Sequence, residues 1–400
     1  MHTEPSTHQW DPFDRSLPFW SKTFTHSFDK LESFSVVDEI EAPFSVGGMV
    51  KIESAQSGQE ADIVATISFG SSKDFQVSSP NWKLTDSTLR LQLPTFSKTP
   101  DFTSTNYGPQ LSVAVTLHLK PDLAWTAFNI DTTHLAIQSS NQLFFSSDDS
   151  TNSPTINTTS FTTHSTPINL PHWTARRTIL KTSSSPITGA FTLLDVLDLT
   201  SSSGTINVSV DSGEADSSNP QPAQLSISSS SGSVKVASSL ATVYDREYKT
   251  DVSTQSGAIT GSFLLGSSAR LTTSSGRIDA ELTPYDSQAT SALYTRSSSG
   301  GTRVEVRSAY KNGGKAFKGL RGEHVSDGSG ALGLRYPGEW EGRIDAAASS
   351  GSVSVKGEGV VVDEAGKWGG GHVRAHKGEG ESRIEARSGS GSVRVSIGNS

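Results

Sequence analysis

Asn129, Asp131, Asp148, Asp149, His372, Arg383 and Glu385 include the carboxylates and imidazole whose types could cut a glycosidic bond. Such cleavage takes an acid and a base placed on either side of the bond. The set is poorly supplied for that work. Asp148 and Asp149 sit in a Ser-rich stretch far along the chain from His372. His372 and His376 are four apart. On a strand they would share a face about 13 Å apart, too far to hold one metal, and no third ligand accompanies them. No cofactor or metal is expected. Lys311, Lys315, Lys318 and Arg321 lie in a Gly-rich insertion and could meet an anion. Tyr336, Trp340 and Trp368 could form an aromatic platform for a sugar or peptide, or pack the last coils. The chain has no Gly-x-Ser-x-Gly elbow and no Gly-x-x-x-x-Gly-Lys phosphate loop, and no Gly-x-Gly-x-x-Gly is read as following a strand.

The elements that would position these residues are all strands. Hydrophobic residues make up 33% of the 400 and charged residues 18%, with a net charge of -8. So little charge beside so many small polar residues suits turns and strand faces better than a solvated coil. No basic stripe points to nucleic acid. With no cysteine, disulfides and thiolate chemistry are excluded. A membrane span needs about 18 apolar residues in a row, and no segment approaches that. Met1 is not followed by a basic segment and an apolar core, so an intracellular, cytoplasmic location is the default expectation.

Residues 1–45 read as a flexible, aromatic-rich N-terminal arm. Trp20, Phe24, Phe28 and Leu31 would align on one helical face, as a cap on the body or a partner-binding helix. Residues 46–175 read as a β-rich region, because Ile63–Phe69, Leu89–Leu93 and Leu111–Leu119 alternate with period two. Within it, 146–171 reads as a polar Ser/Thr/Asn/Pro loop.

From 176 to 400 one pattern returns. Leu197–Val208, Leu225–Val236, Ile344–Val355 and Ile384–Val395 each carry apolar residues around a Ser-Gly centre. The last apolar residue before the centre and the first after it are seven apart in Leu199/Ile206, Ile227/Val234, Val252/Ile259, Leu271/Ile278, Ala346/Val353 and Ala386/Val393. An odd separation cannot keep both on one face of a continuous strand, so the chain must turn between them. Gly204, Gly232, Gly257, Gly276, Gly300, Gly351 and Gly391 mark the turns, where glycine would tolerate a positive φ. A degenerate copy centres on Gly330, and an earlier one has Ser185 in place of glycine. One copy buries too little to fold by itself, so copies must stack. The expected fold is all-β, a parallel β-helix or solenoid-like stack of Ser-Gly turn repeats. The alternative is a β-sandwich of Ser-Gly hairpins.

The Ser-Ser-Gly-x-Val/Ile-x-Val signature resembles the repeats of adhesin-like families of unknown function. The segment Tyr336–Val353 is similar to part of a fungal family of uncharacterised proteins. That resemblance implies a solenoid-like fold and no established reaction. The order Asn129/Asp131, Asp148/Asp149, His372, Arg383 resembles that of pectin-degrading β-helix hydrolases. Three functions stay open: a non-catalytic adhesin-like or scaffold protein whose partner is an unknown protein or glycan, a carbohydrate-binding β-module using Tyr336, Trp340 and Trp368, and a β-helix polysaccharide-degrading enzyme.

Overall fold

A computed structural model of the chain describes residues 19–42, 44–72, 77–96, 111–120, 123–140, 155–366 and 370–398. These residues hold 29 strands and no helix. They divide into two compact units, Met1–His172 and Trp173–Ser400.

In the second unit each copy of the repeat is one rung, made of a first arm, a corner and a second arm. Residues 196–201, then Ala223–Ser229, Tyr248–Thr254, Ser268–Thr273, Thr290–Ser297 and Gly319–Ser326, pair in parallel as the sheet of first arms. Ile206–Ser212, Val234–Ser238, Ile259–Leu265, Ile278–Pro284, Thr302–Val306 and Leu332–Tyr336 pair in parallel as the sheet of second arms. Each arm therefore pairs with the same arm of the next copy. A hairpin sandwich would pair each arm antiparallel with its neighbour across the turn, and the ladders rule it out. The strict register puts like side chains in columns. Leu199, Ile227, Val252 and Leu271 follow one another in one sheet, and Ile206, Val234, Ile259 and Ile278 in the other. All eight are buried. Each contributes about 1.5–3 kcal/mol of burial, which no isolated rung would retain.

The corner glycines also form a column, for a different reason from the one their φ freedom suggests. None of Gly204, Gly232, Gly257, Gly276, Gly300, Gly351 or Gly391 has a positive φ. What each lacks room for is a side chain. A Cβ on Gly232 would fall well inside 3.0 Å of the Gly204 carbonyl, and the same holds for Gly257 over Gly232, Gly276 over Gly257 and Gly300 over Gly276. A buried hydroxyl three residues earlier secures the corner. Ser201, Ser229, Thr273, Ser297 and Ser388 accept from the N–H of their own glycine at 2.8–3.0 Å. Thr273, Ser297 and Ser388 also donate to the glycine carbonyl of the rung before, at 3.0–3.2 Å. These hydroxyls link rung to rung as well as closing their own turn.

The last rungs depart from chain order. After the Gly330 rung the chain skips a level and builds Gly342–Ala348 and Val353–Gly357. It then returns through Val360–Gly366 and Gly371–Lys377, and only afterwards fills the skipped level with Ser382–Ser388 and Val393–Ile397. The Gly391 rung thus lies between the Gly330 and Gly351 rungs, and the glycine column runs 300, 330, 391, 351. The outermost pairings of the first-arm sheet are antiparallel. Gly371–Lys377 pairs with Gly342–Ala348, and Val360–Gly366 with Gly371–Lys377.

The first unit holds two sheets of its own. In one, Phe19–Phe28 and Ile63–Ser72 are antiparallel, Ile63–Ser72 and Leu111–Leu119 are antiparallel, and Val46–Ser54 and Leu135–Ser139 follow in parallel. In the other, Val77–Leu84 is antiparallel to Thr88–Phe96, and Ser33–Glu39, Ala124–Thr132 and Thr155–Thr163 follow in parallel.

Two expectations are corrected here. Residues 19–39 are not a flexible arm or a helix but two strands. The spacing Trp20, Phe24, Phe28 is even, so it satisfies a strand face as well as a helical one, and a ten-residue register with Ile63–Ser72 decides for the strand. Phe28, Phe34 and Val36 are buried. Of the polar loop expected over 146–171, residues 146–154 lie outside the described residues, and the rest gives way to Thr155–Thr163 and the start of Ile168–Thr182. Ile156, Thr159, Phe161 and Ile168 point inward there, because β-branched threonine suits a strand as well as a loop.

Candidate functional site

Alternation buries one face of each first arm and leaves the other outside, so in-register arms place outward residues in rows. Arg321, Arg383 and Arg343 occupy one row on three successive rungs. Glu323, Glu385 and Asp345 occupy a second row, two residues further along each strand. Neighbours within a row are about 4.8 Å apart and the rows about 6.6 Å apart. Tyr294 extends the acidic row onto the Gly300 rung, with the Arg270 guanidinium 4.6 Å from its ring centre.

These rows floor a groove of about 1320 Å³ whose lining also includes Asp363, Arg374, His376, Glu379 and Glu381. Several of its charges are already paired. Arg383 meets Glu385 at 2.9 Å, Arg374 meets Glu364 at 3.1 Å, and His376 meets Asp363 at 2.8 Å. Arg321, Arg343 and Glu323 have no ion-pair partner among the described residues. The groove therefore offers free guanidinium donors and a free carboxylate acceptor, held on a rigid ladder and spaced by the rung repeat. Guanidinium and carboxylate groups are planar and bidentate, which suits a ligand carrying polar groups at regular intervals.

Three solved structures share a measure of shape with the chain. A candidate adhesin from Parabacteroides distasonis ATCC 8503 is 10% identical, with 95% of this chain and 98% of that one covered and a TM-score of 0.33. A candidate adhesin from Parabacteroides merdae ATCC 43184 is also 10% identical, covering 78% and 95%, with a TM-score of 0.33. One from Bacteroides fragilis NCTC 9343 is 11% identical, covering 94% and 97%, with a TM-score of 0.21. No family model matches the chain, and no curated protein matches its sequence. The fold described above rests on the strand ladders themselves.

Of the residues offered as an aromatic platform or as packing for the last coils, Tyr336 and Trp340 pack. Tyr336 and Trp340 are both 0% exposed and pack edge to face, 6.0 Å between centroids. Neither presents a ring to a ligand. Trp368 lies outside the described residues. Tyr336 instead ends a buried polar chain. Its hydroxyl is 2.7 Å from His324 Nε2, and His324 Nδ1 is 2.8 Å from Thr295 Oγ1. A neutral imidazole needs one donor and one acceptor, and two hydroxyls can supply either. Gly322 makes the space, since a Cβ there would strike the Tyr336 hydroxyl.

Burial pulls His324 down to about 3 and pushes the Tyr336 hydroxyl up. The folded protein thus keeps His324 neutral, whereas an unfolded histidine takes a proton near pH 6.5. Below pH 6.5 the unfolded chain binds the extra proton, so stability falls as pH drops from 6.5 towards 3. The expected loss is about 2 kcal/mol between pH 6.5 and 5. Urea midpoints across that range should show this slope in the wild type and a flatter one in His324→Gln.

Several of the remaining sequence candidates have local partners. Asn129 Nδ2 donates to Ser35 Oγ at 3.4 Å and Asp131 is exposed, both in the first unit. Asp148 and Asp149 lie outside the described residues. His372 sits 3.4 Å from Asp345, on a strand flanked by Gly342–Ala348 and Val360–Gly366. Lys311 pairs with Asp245 at 3.0 Å, Lys315 bonds Asn312 at 3.4 Å, and Arg321 belongs to the groove floor, so the basic insertion does not converge on one anion. Among the described residues no group of three or more His, Asp and Glu could hold a metal. Among them, too, no helix is long and apolar enough to cross a membrane.

Proposed function

We propose that the chain is a non-catalytic, adhesin-like binding protein that receives an extended polar polymer in the outer groove of the second unit. The observation that carries this is the pair of opposite-charge rows in register across three rungs, with Arg321, Arg343 and Glu323 free to bind. A polymer running along the stacking direction would meet a guanidinium and a carboxylate at every level, free at Arg321, Glu323 and Arg343 and already paired at Arg383, Glu385 and Asp345. The two sheets hold those groups in place, so little ordering cost is left for binding.

The experiment is a solid-phase panel of carboxylated, sulfated and neutral polysaccharides and matrix proteins, probed with the purified chain. The wild type should retain at least one polymer, and Arg321→Ala/Arg343→Ala should weaken that retention at least tenfold. Raising the salt should weaken it as well, since the contacts are charge-assisted. Equal retention by the double variant would refute the reading. So would release of soluble fragments from any polymer, if His372→Ala abolished it.

A further inference from the structure

Away from the groove, the turns at the far ends of the arms carry a second cluster of the same unit. Tyr248, Tyr285 and Tyr310 step across successive rungs. Tyr248 and Tyr285 are 5.7 Å apart between ring centres, and Tyr285 and Tyr310 lie stacked at 6.3 Å with their planes 18° apart. Tyr248 is buried, with its hydroxyl 2.6 Å from Ser212 Oγ and donating to the Tyr244 carbonyl at 2.6 Å. Tyr310 is 44% exposed, one of the few large hydrophobic residues left open to solvent. The stack runs from the interior to the surface.

Polar groups ring its outer end. Lys311 Nζ lies 5.7 Å from the Tyr285 ring centre and 3.0 Å from Asp245 Oδ2. The Asp245 side chain is 77% exposed. The turn that carries Asp245 is pinned from beneath. The Arg246 side chain is 4% exposed, its guanidinium reaches Asp195 at 3.1 Å and the Gly213 carbonyl at 3.1 Å, and it also bonds the Gln221 carbonyl. A buried arginine with three acceptors fixes a surface loop whose next residues are an exposed carboxylate and Tyr244, itself 37% exposed.

We propose that Tyr310, with Asp245 and Lys311, is a binding site for a neutral pyranose of a glycan. The exposed ring offers an apolar face to the C–H side of a sugar. The carboxylate accepts from sugar hydroxyls and the ammonium donates to them. Asp245 and Lys311 compensate each other, so the site favours a ligand without net charge. Its apolar part is the exposed portion of Tyr310, less than the roughly 150–250 Å² of one whole aromatic side chain. That fits one or two sugar rings and is far below the ~800 Å² per partner of a protein interface. The site is independent of the groove and uses none of its residues.

The test starts with a printed array of neutral gluco-, galacto-, manno- and N-acetylglucosamine oligosaccharides and the full chain. The wild type should retain at least one class. Tyr310→Ala should lower that signal at least tenfold, Tyr310→Trp should keep it, and Arg321→Ala/Arg343→Ala should leave it unchanged. On the retained oligosaccharide, saturation-transfer NMR with irradiation of the aromatic protons should transfer to pyranose ring C–H protons, a readout that needs no variant to fold. No neutral glycan retained by the wild type, equal retention by Tyr310→Ala, or no aromatic-to-sugar transfer would each overturn the proposal. A signal lost only in the arginine double variant would overturn it too, while leaving the groove reading intact.

Discussion

Gly300→Ala should lower the melting temperature of the chain by about 10 °C, whereas Gly301→Ala, one residue on, should leave it within about 2 °C. The contrast comes from what a single methyl group would meet. On Gly300 it would fall well inside 3.0 Å of the Gly276 carbonyl and the Arg277 backbone nitrogen. Those are backbone atoms tied into two ladders, so they cannot swing aside as the end of a flexible side chain could. On Gly301 the nearest atom is the Ala331 carbonyl oxygen at 3.6 Å, an ordinary contact. Neither glycine has a positive φ, so backbone strain does not separate them. Overpacking against fixed backbone costs roughly 3 kcal/mol, and a unit of this size shifts about 2–4 °C per kcal/mol. Differential scanning calorimetry of the two variants measures both numbers. Equal shifts would mean that the corners do not stack as closely as described.

Deleting residues 379–400 should release the whole Gly351 rung as well as the residues removed. The deleted segment holds Ser382–Ser388 and Val393–Ile397, which lie between the Gly330 and Gly351 rungs in both sheets. Val353–Gly357 has only Val393–Ile397 as a described ladder partner. Gly342–Ala348 would keep only its antiparallel pairing with Gly371–Lys377. Ile384, Ala386, Val393, Val395 and Ile397 would leave the core together, about 1.5–3 kcal/mol for each of the larger side chains. In hydrogen–deuterium exchange, amides of 342–357 should fall to nearly unprotected rates. Those of Ala223–Ser229 and Tyr248–Thr254, several rungs away, should keep their protection. Protection of 342–357 that survives the deletion would mean the inserted rung does not support its neighbour.

The repeat and its parallel stacking were legible in the sequence because the constraint is local and recurs. An odd spacing between buried residues forces a turn wherever it occurs, and seven-residue pairs from Leu199/Ile206 to Ala386/Val393 all carry it. The reason for glycine was not legible, since close approach to the neighbouring rung is a contact between residues far apart in the chain, as Gly391 is from Gly330. The order of the last rungs was hidden for the same reason. Nothing in Ile384–Val395 differs in kind from Ile344–Val355, yet one lies inside the other. Tyr336 and Trp340 stayed open between ligand and core because a large aromatic looks the same in sequence in either place, and only their burial decides for the core. The groove did leave a trace. Arg321-Gly-Glu323, Arg343-Ile-Asp345 and Arg383-Ile-Glu385 repeat one charge pattern at the outward positions of three first arms. Reading Arg383 and Glu385 by themselves, as part of a catalytic set, obscured the row they belong to. Tyr310 and Asp245 gave no sequence signal, because the turns that bring them together differ in length from copy to copy.

The inserted rung also bears on how the protein is made. Residues 382–397 leave the ribosome after the level they separate from the rest of the stack, so that level must wait, partly unpaired, until they arrive. A chain interrupted before residue 382 would carry an open seam of unpaired β-strand backbone. Strand edges of that kind template pairing with other chains, so the late-made segment protects the stack from association by filling the seam itself.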